Sequence, residues 1–155
     1  MSLDVKIVEL PEMRVASALG YGPSPEGIAW TKVLEWARGE GLLDGLFHPR
    51  FFGFNNPSPS AGSPNYGYEQ WMVIAPDQVV GGEVEAKVIP AGRYATARCK
   101  LARIGQTWRE LVAWVESSPY DFGPLQCLEE AITFPWQDDL PEMEHVMDVM
   151  INIVE

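Results

Sequence analysis

A short pattern, P-x-x-R-x-A-[ST]-A, is written twice in this chain. Val5 to Ala18 reads VKIVELPEMRVASA, and Val84 to Ala97 reads VEAKVIPAGRYATA. Sliding one copy by 79 residues superposes Pro11 on Pro90, Arg14 on Arg93, Ala16 on Ala95, Ser17 on Thr96 and Ala18 on Ala97. Trp30 and Trp36 recur as Trp108 and Trp114 at a shift of 78, with Val33 opposite Leu111. Two matches in one order at nearly one shift identify a duplicated unit. Repeat one covers about residues 4–78 and repeat two about 83–155. Whatever one copy folds into, the other must fold into as well.

Each copy yields the same coarse elements. Val5–Leu10 with Arg14–Leu19 is rich in β-formers and broken by Pro11, so it reads as a strand with a bulge or turn. A helix follows over roughly Glu26 to Arg38, with Ser24-Pro25 as cap and first-turn proline and Gly39 as its stop. Its counterpart runs from Ile104 to Glu116, where Ile104, Trp108, Leu111, Val112 and Val115 form a stripe at helical spacing. Two more strands close each copy: Phe51–Phe54 and Tyr66–Ile74, then Gln126–Phe134 and Val146–Val154. Asn55–Asn65 reads as a loop by composition, as does Pro135–Glu144. The expected fold is α+β: two tandem βαββ repeats with pseudo-two-fold symmetry, an antiparallel sheet and a central groove, forming a single domain over 1–155.

Charge narrows the function. The net charge of −11 arises entirely after Arg109: 11 acidic and 11 basic residues precede Glu110, and 11 acidic residues with no Lys or Arg follow. No basic cluster exists to meet a phosphate backbone, so direct nucleic-acid binding is excluded. No apolar run reaches the ~20 residues of a membrane span. The N-terminus carries no secretory pattern, and Cys99 and Cys127 make no disulfide framework, so a cytoplasmic location is expected. His48 and His145 stand far apart, which gives no zinc site, and no motif implies a cofactor. The nucleophile elbow, HExxH and phosphate-cradling glycine loop are all missing.

Candidate binding residues come from the strands. Alternation sets Tyr66, Tyr68 and Gln70 on one face of their strand, and Gly67, Glu69 and Trp71 on the other. Aromatics beside a carboxylate can stack on a flat cation and neutralise it, and cross-strand packing with a rim charge explains the same residues equally well. Tyr94 is the aromatic of copy two that copy one replaces by Val15. Of the four helical tryptophans, Trp108 lies nearest the expected groove.

Several segments resemble the GyrI-like family, which also supplies the effector-binding domain of multidrug-sensing regulators of the AraC and MerR classes. They are Leu10-Pro11, Ile89-Pro90-Ala91-Gly92-Arg93-Tyr94 and Ile104-Gly105-Gln106-Thr107-Trp108. Phe52-Gly53-Phe54-Asn55-Asn56-Pro57 with Tyr66-Gly67-Tyr68-Glu69 adds to them, as does Leu128-Glu129-Glu130-Ala131-Ile132-Thr133-Phe134-Pro135. The resemblance implies a pocket for lipophilic, often cationic, small molecules, with the acidic residue of the penultimate strand inside it. That residue maps onto Glu129. Alternation groups Glu129 with Cys127, Ala131 and Thr133, and Glu130 with Leu128, Ile132 and Phe134. If the latter face packs on the helices, Glu130 needs a partner, and Glu129 occupies a face of small side chains or is a solvated outer residue. Many family members carry an aromatic where this chain has Ala131, which leaves space beside Glu129. No helix-turn-helix segment is present, so the expectation is a binding domain that senses or sequesters a toxic compound without a DNA-binding part of its own. Two other readings stand beside it: a hydrolase of electrophilic toxins using Glu129 with Tyr68 or Tyr94, and an acidic module docking on a basic protein such as a nucleic-acid enzyme.

Overall fold

A computed structural model of the chain describes residues 3–45, 48–133 and 140–155. Its elements are β1 (Lys6–Leu10), β2 (Met13–Gly22), α1 (Pro25–Gly39), β3 (Phe51–Asn55), β4 (Tyr66–Val73), β5 (Glu85–Ile89) and β6 (Gly92–Lys100). Then come α2 (Ile104–Glu116), β7 (Asp121–Phe122), β8 (Leu128–Ala131) and β9 (Val146–Val154). The class is mixed α+β, with antiparallel pairing in every described ladder. Among the described residues, no helix is long and apolar enough to cross a membrane.

The chain forms two compact units, and they do not follow chain order. Unit 2 is the contiguous segment Glu12–Pro90, whereas unit 1 joins Met1–Pro11 to Ala91–Glu155. The segment expected as one interrupted strand is therefore two. β1 pairs β6 in unit 1, and β5 pairs β2 in unit 2. Pro11 and Pro90 stand at the two breaks, where a residue without an N–H cannot carry a ladder onward.

Within each unit the pairing is the same. Unit 2 runs β3-β4-β2-β5, and unit 1 runs β8-β9-β6-β1 with β7 added on β9. The registers agree as well: Ala16 faces Met72 in unit 2, and Ala95 faces Ile151 in unit 1, each residue 79 positions from its counterpart. Lys6 faces Thr96 as Glu85 faces Ser17, again at 79.

Each unit packs one helix on its sheet. In unit 2 the fit is close because small residues meet: Ala29, Val33 and Ala37 of α1 are buried, as are Ala16 and Ala18 of β2. A Cβ on Gly20 would lie 2.2 Å from the Pro25 carbonyl oxygen, so only glycine admits the helix there. The helix begins at Pro25 as expected, but Ser24 makes no capping hydrogen bond. The left-handed residue after the helix is Gly41 (φ 71°), not Gly39, and Leu42 N donates to Ala37 O at 2.9 Å.

In unit 1, Leu111 and Val115 of α2 meet Ala95, Ala97, Val149, Ile151 and Ile153, all 2% exposed or less. The buried stripe of α2 is Thr107, Leu111 and Val115, with Ile104 and Trp108 partly covered. Val112, expected in that stripe, is 38% exposed. A helix packed on a sheet buries a narrow line at i, i+4 and i+8, and residue 112 has turned past it.

The strand expected over Gln126–Phe134 is realised only as Leu128–Ala131. Phe134 and the start of the acidic stretch from Asp138 lie outside the described residues.

Candidate functional site

The first carboxylate to place is Glu129, in unit 1. The residue pairs across β8 and β9 with Val149, a member of the core under α2, so its side of β8 faces the helix. The conditional case, in which the Leu128 face packs on the helix, does not hold for β8. The face of Cys127, Glu129 and Ala131 meets α2, while Leu128 lies on the other side and is still 0% exposed. Both faces are covered there, so apolar character on one does not mark the helix side.

Glu129 is half-buried, and the Trp108 indole Nε1–H donates to its Oε2 at 3.2 Å. Two sequence candidates are thus brought together by α2 and β8. Cys99 and Cys127 are partly buried on the same side of the unit. Burial pushes the Cys99 thiol up; a hydrogen bond with Thr107 opposes that, and the Glu129 charge adds to it. Burial pushes the Cys127 thiol up too. Both thiols pack against the apolar cluster under α2.

Tyr94 does not join this group. Its neighbour Ala95 belongs to the core under α2, so alternation turns Tyr94 to the opposite face of the sheet, where it is 1% exposed. Burial raises its phenol pKa. Glu130, the residue expected to need a partner, is 9% exposed and lies opposite Asp148. Arg98 is forked onto Asp148 at 2.9 and 3.2 Å, and its guanidinium also feels the Glu130 charge.

The second carboxylate, Glu69, lies in unit 2 on the face of β4 turned away from α1. It is 3% exposed and accepts from four side chains. Ser17 Oγ (2.7 Å), Trp71 Nε1 (2.8 Å) and Lys87 Nζ (2.5 Å) reach Oε1, and Asn56 Nδ2 (3.0 Å) reaches Oε2. Burial alone would raise the Glu69 pKa, but the donors, Lys87 foremost, outweigh it and hold the carboxyl below its ordinary value. Trp71 in turn meets Phe54 edge-on at 4.8 Å. Tyr66 and Tyr68 occupy the other face, as alternation requires. The Tyr66 hydroxyl donates to Glu26 Oε2 at 2.5 Å, in the first turn of α1.

Sequence reasoning missed Ser17, Asn56 and Lys87. Ser17 was visible as the variable position of the repeated motif. Lys87 was not, because it arrives on β5, a strand whose partner chain order does not reveal. Arg14 and Arg93 have local work: Arg14 donates to the carbonyls of Ala75 and Gln78, and Arg93 bridges Glu9 and Glu155. Among the described residues, no group of three or more His, Cys, Asp or Glu is placed to hold a metal ion.

Unit by unit, the charge is less lopsided than along the chain. Unit 1 holds thirteen acidic and six basic residues, net −7, and unit 2 nine and five, net −4.

A helix packs on the strands of each unit, and in unit 1 the Glu129 carboxylate accepts from the indole of that helix. The family model described as the GyrI-like small molecule binding domain matches residues 3–154, and the chain belongs to that family. No curated protein matches it. Solved structures with a similar fold include EcmrR in its DNA complex (TM-score 0.74, 18% identity), which covers 100% of this chain; this chain spans 59% of that one. The EcmrR C-terminal domain alone gives a TM-score of 0.70 at 18% identity, covering 100% and 99% of the two chains. A hydrolase from Listeria innocua gives 0.64 at 10% identity, over 99% and 93%. SAV2435 bound to tetraphenylphosphonium gives 0.54 at 8% identity, over 98% and 94%. At these identities the likeness is one of fold.

Proposed function

We infer that residues 1–155 act as one domain that binds a lipophilic organic cation, and that Glu129 supplies the counter-charge. The observation that carries this reading is the half-buried Glu129 side chain, which accepts a hydrogen bond from Trp108 of α2. A carboxylate partly stripped of water gains by meeting a cation, and an indole beside it favours a flat or aryl-bearing one. Tetraphenylphosphonium, the molecule bound by SAV2435, has that character. On this reading the protein senses or sequesters such compounds. The electrophile-hydrolase reading loses its Glu129–Tyr94 couple, since the two side chains lie on opposite faces of the sheet.

Titration calorimetry with tetraphenylphosphonium tests the assignment. Glu129→Gln, which keeps shape and removes charge, is expected to weaken binding about tenfold or more, as one lost charge contact in a partly dry site should. Unchanged affinity in that variant would remove Glu129 from the site. The net charge of −7 on unit 1 also suits a basic protein partner. Capture that vanishes between low and high salt would support such a partner, and salt-independent capture would refute it.

A further inference from the structure

Unit 2 contains a buried polar atom that no contact explains. Gln70 is 1% exposed; its Nε2 donates to the Phe52 carbonyl at 2.9 Å, while its Oε1 has no hydrogen-bond partner among the described residues. A buried acceptor without a donor is destabilising, and folded proteins keep few of them. The β3–β4 register sets Gln70 opposite Gly53, and alternation puts it on the same face as Tyr68. A Cβ on Gly53 would fall 2.1 Å from the Tyr68 hydroxyl, so the phenol ring rests over bare backbone. An aromatic ring, an unmet carbonyl and a residue with no side chain therefore lie together.

The equivalent place in unit 1 is informative. Glu129 lies opposite Val149 as Gly53 lies opposite Gln70, and positions 70 and 149 are 79 residues apart. Where one unit offers a carboxylate, the other offers a glycine beside a neutral acceptor.

We propose that Gln70 Oε1 is the anchor for a hydrogen-bond donor, an N–H or O–H, on an aromatic small molecule whose apolar body lies against Tyr68. This rests on the small-molecule-binding reading above and adds a specificity that reading lacks. A quaternary and a protonated amine carry the same positive charge. An amide carbonyl separates them, because only the protonated amine has a proton to donate. Tyr68 is 7% exposed and rests over Gly53, which has no side chain.

The test is calorimetry with N,N-dimethylbenzylammonium and benzyltrimethylammonium, which share ring and charge and differ by one N–H. Wild-type protein is expected to prefer the N–H cation by about tenfold. Gln70→Met should bind both alike and melt at a higher temperature without ligand, since the orphan acceptor is gone. Wild-type protein that shows no preference, or binds neither cation, overturns the proposal, as does a Gln70→Met variant that keeps the preference. The wild-type comparison decides the matter even if the variant fails to fold. Unchanged tetraphenylphosphonium binding by Glu129→Gln, with the N–H preference kept in wild type, removes the Glu129 assignment and leaves Gln70 standing.

Discussion

Glu69 and Asp148 hold matching register positions in the two units, 79 residues apart, opposite Leu19 and Arg98 respectively. Their surroundings have little else in common. Glu69 is sunk to 3% exposure, ringed by four donors, and neutralised by a lysine from β5. Asp148 keeps 18% of its side chain exposed and is met by Arg98, itself 62% exposed, from the adjacent strand. One fold thus tolerates a carboxylate at this position by two routes, full desolvation with several donors or a single exposed fork. The first makes the site depend on many parts of the unit at once. The second can be lost at little cost.

Substitution should separate the two most clearly. Glu69→Gln removes the charge that Lys87 meets and leaves Ser17, Trp71 and Asn56 competing for a weaker acceptor. Since Lys87 is partly solvated, the loss should be about 2 kcal/mol rather than the larger cost of a fully buried pair. For a chain of this size that is a fall in melting temperature of roughly 4–8 °C. Asp148→Asn should cost under ~1 kcal/mol, as exposed pairs do. Equal losses in the two variants would refute the contrast.

Acid should sharpen it. The folded-state pKa of Glu69 is held below its ordinary value, so the stability it contributes is complete above the unfolded pKa near 4.5 and is lost as pH falls through the lower folded value. Thermal melts from pH 6 downward should therefore show a steeper decline for wild type than for Glu69→Gln, with the curves converging in acid. Parallel curves would mean that Glu69 is not the group being protonated.

The smallest effect is expected from salt. Raising ionic strength should shrink the already small Asp148→Asn loss toward zero, while the Glu69→Gln loss stays nearly constant. A strong salt dependence for Glu69 would show that its carboxylate is wetter than its four donors imply.

What could be read from the sequence followed from local periodicity. The helix Ile104–Glu116 and the strand Val146–Val154 match the expected bounds, because a 3.6-residue stripe and a run of β-formers are written into consecutive residues. The grouping of Glu129 with Cys127 and Ala131 was legible for the same reason. Which side of the sheet that group faced was not. Leu128 is as apolar and as buried as any helix-facing residue, yet it packs on the other side. Alternation sorts residues into two sets and says nothing of which set meets a helix. The Lys87–Glu69 bond was hidden more deeply, since it depends on β5 crossing to β2, a choice made by long-range pairing and not by any local signal.

Splitting unit 1 across the chain also has a consequence for how the protein is made. Unit 2 is complete once Pro90 has been synthesised, but β1 finds its partner only when Gly92–Lys100 has followed it. At usual ribosomal rates the stretch from Pro11 to Lys100 takes roughly 4.5–18 s, and the part of it made after unit 2 is complete roughly 0.5–2 s. In that last interval a finished neighbour stands downstream of a strand with no partner of its own. Lys6 and Glu9, charged residues within that five-residue strand, are the kind of side chain that keeps a waiting edge from pairing with another nascent chain.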